Sequence, residues 1–115
     1  MNELQINTRK SILNTLNLLA SFSQQLEYKN SAPFINVTQE LIEQWNNHNI
    51  LKNKVWYIEI WTENEYFSLE EFNKHFQDNL KSMPKRLPDV PDILENKAWI
   101  QIMELANSVD SSFIY

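Results

Sequence analysis

The sequence predicts an all-α fold, a compact single domain of four to five helices over residues 1–115. Three observations carry this. Apolar residues recur three and four apart over 8–28, 37–48, 69–83 and 91–109, the spacing of one helix face. Side chains suited to helix N-caps stand at or near the starts of these stripes. The one segment with strand composition, around 54–61, finds no convincing partner to pair with.

The first helix is expected from about Thr8 to Tyr28, capped by Asn7 or Thr8, with Ile12, Leu16, Leu19 and Leu26 on one stripe. Asn30-Ser31-Ala32-Pro33 breaks it. The second runs from Val37 to His48, with Asn36 and Gln39 spaced as a capping box and Val37, Leu41, Trp45 and His48 on one face. His48 then sits at the helix end, where an imidazolium suits the dipole. Val55-Trp56-Tyr57-Ile58-Glu59-Ile60-Trp61 is rich in β-branched and aromatic residues, and an α+β fold with a short strand here is the alternative. Its best partner would be the tail at 112–115, and a lone strand leaves its ladder groups unpaired, so helix is favoured. Thr62-x-x-Glu65 suits the restart of a turn, and Ser68-Leu69-Glu70-Glu71 reads as the capping box of a helix lined by Leu69, Phe72, Phe76, Leu80 and Met83. Pro84, Pro88 and Pro91 make 84–91 a stiff connector, and Pro91 fits the first position of a last helix lined by Leu94, Ala98, Ile102, Leu105 and Val109.

Composition excludes more than it includes. The chain has no glycine, where roughly 8 would be average, and no cysteine. Phosphate-cradling loops, dinucleotide fingerprints, nucleophile elbows and EF-hand loops all need glycine where the backbone takes positive φ or closely approaches a ligand. Thiolate chemistry, disulfides and zinc fingers need cysteine. The polar start MNELQINTRK lacks the apolar region of a signal peptide, and no apolar run reaches a membrane span. A cytoplasmic protein that contacts neither membrane nor nucleic acid is expected, and Asn36-Val37-Thr38 is then a glycosylation sequon by chance.

Glu71, His75 and Asp78 fall at i, i+4 and i+7, a spacing that can ligate a metal; a solvated helix face explains it better. No serine has a base placed beside it. No cofactor, metal or enzymatic activity is expected.

Charge is unevenly spread. The total is −5, yet residues 55–73 hold Glu59, Glu63, Glu65, Glu70 and Glu71 and no Lys or Arg, while 74–86 sum to +3. Interleaved with those glutamates are Trp56, Tyr57, Trp61, Tyr66 and Phe67. Aromatic residues dominate interface hot spots, and carboxylates around them steer a basic partner. In a continuous helix, Trp56, Glu59 and Glu63 would share a face. The candidate contact residues are therefore Trp56, Glu59, Glu63, Glu65, Tyr66, Glu70 and Glu71, with Trp61, Tyr66 and the Glu95–Trp99 region as the next places to look.

In the stretch from Trp56 to Tyr66 and the following Ser68-Leu69-Glu70-Glu71-Phe72, the chain resembles the bacterial immunity proteins of contact-dependent inhibition and Maf-type polymorphic toxin systems. The resemblance is one of type across the whole chain. It implies a small cytoplasmic antagonist, monomeric or weakly dimeric, that binds one cognate toxin domain, commonly a basic nuclease, and blocks it. The alternative is a small helical adaptor or regulatory subunit of a larger assembly.

Overall fold

A computed structural model describes residues 1–113; Ile114 and Tyr115, half of the tail considered as a strand partner, lie outside the described residues. The described residues form six α-helices and a 3-10 turn, with no strand. The all-α expectation holds, with one more helix than the upper count.

The extra helix comes from a break inside the first stripe. α1 spans Glu3–Ala20 and α2 spans Phe22–Ser31. Asn2, not Asn7 or Thr8, caps α1, in a reciprocal capping box with Gln5. Ser21 is extended and serves both helices: its N–H closes onto Leu18 O, and its Oγ accepts from Gln24 N. The freed carbonyls of α1 are met by Gln25, whose buried Nε2 donates to Leu18 O at 3.0 Å and Leu19 O at 3.2 Å.

α3 spans Val37–Leu51, one turn longer than expected. Asn36 caps it, but Gln39 turns away to Glu43, so the box is not reciprocal. The Asn36 amide of the sequon donates to Leu87 O. α4 is a single turn, Val55–Ile58; the rest of the ambiguous segment, Glu59–Trp61, is turn and bend, and none of it is strand. α5 spans Glu63–Leu80. Its capping box is Thr62 with Glu65, and Ser68, expected to be the cap, is an interior residue. Both sites have a capping pattern; the one at Thr62 is reinforced from outside, because Arg9 of α1 grips Glu65.

The Pro84–Pro91 connector leads through a 3-10 turn at Asp92–Glu95 to α6, Lys97–Asp110, capped by Asn96 rather than opened by Pro91. Moving the start rotates the buried face. Trp99, Ile102 and Ala106 go inside, while Leu94, Leu105 and Val109 are only partly covered.

α1 packs against α6 and α3, and α5 packs against α6. One core draws on all of them: Ile12, Leu16 and Leu19 from α1, Leu41 and Trp45 from α3, Leu69, Phe72 and Phe76 from α5, Ile102 from α6. Phe72 meets Trp45 edge-on at 4.8 Å between ring centres. Among the described residues none has positive φ, which is how a chain without glycine closes every helix end.

Candidate functional site

The seven candidate contact residues fall into two groups, decided by tertiary contacts. Glu65 is committed to the fold: its carboxylate takes Arg9 Nη1 at 3.1 Å and Nη2 at 2.8 Å, and also accepts from Thr62 N at 2.9 Å. The Arg9 guanidinium holds this carboxyl below its ordinary range. Arg9 also lies over the buried Trp61 ring, 4.9 Å from its centre. Tyr66 is half-buried, and its hydroxyl donates to Lys52 O at 2.8 Å.

Glu70 faces inward. Its Oε1 is 3.5 Å from His48 Nε2 and its Oε2 is 4.0 Å from Lys52 Nζ. His48 is fully buried, with Nδ1 2.5 Å from the Tyr57 hydroxyl. A carboxylate beside Nε2 favours the tautomer protonated there, so Nδ1 accepts and Tyr57 donates. Burial drives the His48 pKa down to about 4 against the pull of Glu70, and burial likewise raises that of Tyr57. The expected imidazolium cap is thus a neutral core group. The hint in the sequence was its place on the stripe of Val37, Leu41 and Trp45, one turn after the Trp.

Trp56 is half-buried against the core, edge-on to Tyr57, and its carbonyl accepts from Gln5 Nε2 at 2.9 Å. It does not share a helical face with Glu63, because α4 ends at Ile58 and α5 begins at Glu63. Trp99 is fully buried, its Nε1 donating to Gln25 Oε1, which removes it from the possible contact residues.

What remains outside is a different set. Glu59, Glu63 and Glu71 are exposed. Glu63, Phe67 and Glu71 follow one another at i, i+4 and i+8 on α5, so a 64% exposed phenylalanine stands between two carboxylates. Val55 and Ile58 of α4 are exposed as well. Phe67 belonged to the aromatic segment but not to the expected contact set.

The chain matches no family model, no curated protein and no solved structure. The site must therefore be judged on its own chemistry. Glu71 lies 3.8 Å from His75, but Asp78 pairs with Lys81 instead, and among the described residues no three carboxylate or imidazole groups gather as a metal site. A groove of about 760 Å³ runs along α1, lined by Ile6, Arg9, Lys10, Leu13 and Asn14 among others. No helix among the described residues is long and apolar enough to cross a membrane.

Proposed function

We propose that this protein is an immunity-type antagonist, a cytoplasmic, non-catalytic binder that neutralises a cognate toxin domain with a basic groove. The observation that supports this reading is the α5 face on which Glu63 and Glu71 flank the exposed Phe67, with Glu59 at the turn before it. A toxin acting on an anionic substrate has a cationic groove, and carboxylates that enter it compete with that substrate. Phe67 is the anchor in this reading, taking the part first expected of Trp56. Glu65, Tyr66 and Glu70 act from behind: they tie α5 to α1 and to the end of α3 and so preorganise the surface. A stable complex of this kind buries about 1,600 Å² in total.

The test is co-purification from the native host, then affinity measurements on the partner so obtained. Glu59→Lys with Glu63→Lys should leave the fold intact, at a small cost from a cation in the first turn of α5, and slow association with a basic partner, most strongly at low salt. Unchanged affinity and salt dependence in that double variant would sink the reading.

A further inference from the structure

The α2–α3 loop carries Phe34, which is 101% exposed, with the half-open Ile35 beside it. A lone exposed apolar side chain is ordinary; the way this one is held is not. An ammonium has three protons, and Lys29 directs two of them to the loop and the third to the connector. Its Nζ donates to Pro33 O and to Ile35 O, each at 2.8 Å, the carbonyls on either side of Phe34. It also faces Asp89 Oδ2 at 2.5 Å. Asp89 Oδ1 in turn accepts from Val37 N at 2.9 Å and Val90 N at 2.7 Å. Asn36 Nδ2 and Thr38 Oγ1 donate to Leu87 O and Pro88 O, laying the loop against the proline-rich connector. That connector brings Lys85 and Arg86, both exposed, and among the described residues neither has an ion-pair partner.

We propose that this loop tip is a second binding surface, which presents Phe34 in a fixed pose to an acidic protein segment with apolar anchors, its carboxylates meeting Lys85 and Arg86. Hot spots are typically aromatic, and a loop ordered beforehand loses little entropy on binding. Lys29 is neutralised by Asp89, so the unpaired charge on the connector is that of Arg86 and Lys85, one and two residues before Leu87, whose carbonyl accepts from Asn36 of the loop. Polyanions are the less suitable occupants, because two adjacent cations make few phosphate contacts, whereas an aromatic anchor beside them suits a protein segment. This surface is separate from the carboxylate face of α5 and takes a partner of the opposite charge.

The experiment is selection of a phage-displayed random peptide library on the full chain, followed by affinity measurement on the enriched peptides. Enriched sequences should be acidic with aliphatic or aromatic anchors. Phe34→Ala should weaken them by about tenfold or more with no change in melting temperature, since the ring touches solvent alone. Lys85→Glu with Arg86→Glu should weaken them comparably, and increasingly at low salt. Lys29→Met should weaken them without removing any contact residue, because the loop is then ordered only on binding. Glu59→Lys with Glu63→Lys should leave them bound. Failure to enrich any acidic peptide, or enriched peptides indifferent to Phe34→Ala, overturns the proposal. So does Phe34-dependent binding to phosphatidylserine vesicles or single-stranded DNA in place of peptide.

Discussion

The Tyr57 hydroxyl lies 2.5 Å from Nδ1 of His48 in the interior, and that bond joins α4, a single turn of helix, to the end of α3. A helix this short cannot hold itself together by its own backbone bonds, so its place depends on such contacts. Tyr57→Phe deletes the donor and leaves Nδ1 buried without one. It should cost about 1–3 kcal/mol, read as a lower urea midpoint at unchanged slope.

Neutral His48 makes stability depend on pH. The ordinary value of 6.5 applies to the unfolded chain, and the folded value is about 4. Between these two the unfolded state binds more protons, so the contribution is complete above about pH 6.5 and is lost as pH falls toward 4. Urea denaturation at about pH 7.5 and about pH 4.5 should show the loss, and His48→Gln should flatten it.

Arg9→Ala removes the fork on Glu65 and the cation over Trp61. Both partners of the ion pair are largely covered, with side chains 20% and 22% exposed, so the cost should be about 1–3 kcal/mol, more than for a surface pair. The Glu65 carboxyl should also titrate higher. Its depressed value means stability is lost as pH falls through the folded value, so the acid limb of the stability curve should move up in the variant. Thermal melts against pH, with the Glu65 carboxyl followed by NMR, check both.

Phe76 is fully buried and Phe72 nearly so, both against Trp45. Truncating either to Ala should cost about 3–5 kcal/mol in a denaturation experiment.

Trp56 and Phe67 should behave oppositely. Trp56→Ala removes half-buried surface and should lower the melting temperature. Phe67→Ala should leave the melt unchanged and weaken a basic partner. Melting curves and affinities on the same two variants separate the roles.

The stripes of Phe72 and Phe76, or Leu16 and Leu19, were legible in the sequence because one helix face is buried and spacing alone reveals it. The break at Ser21 was not, because the apolar rhythm runs through it from Leu19 to Phe22 and Leu26, and serine serves helix interior and cap alike. The start of α5 offered two capping patterns, and a residue 56 positions away, Arg9, favours the earlier one. The same kind of distant pairing divided the acidic segment. Glu63 and Glu65 are two apart, yet one is exposed and the other is bound by Arg9. Charge per segment is local information, whereas which carboxylate is free is not.

A backbone that never enters positive φ also changes how substitutions can be interpreted. Away from the four prolines, every described position has a conformation open to alanine without steric penalty. A systematic alanine scan of this chain would therefore measure side chains, with helix propensity as the one backbone contribution to subtract. In proteins that rely on glycine turns, the glycine positions add a backbone penalty to such a scan. Here the stability map and the binding map can be overlaid position by position, and residues that appear on one but not the other separate scaffold from contact surface.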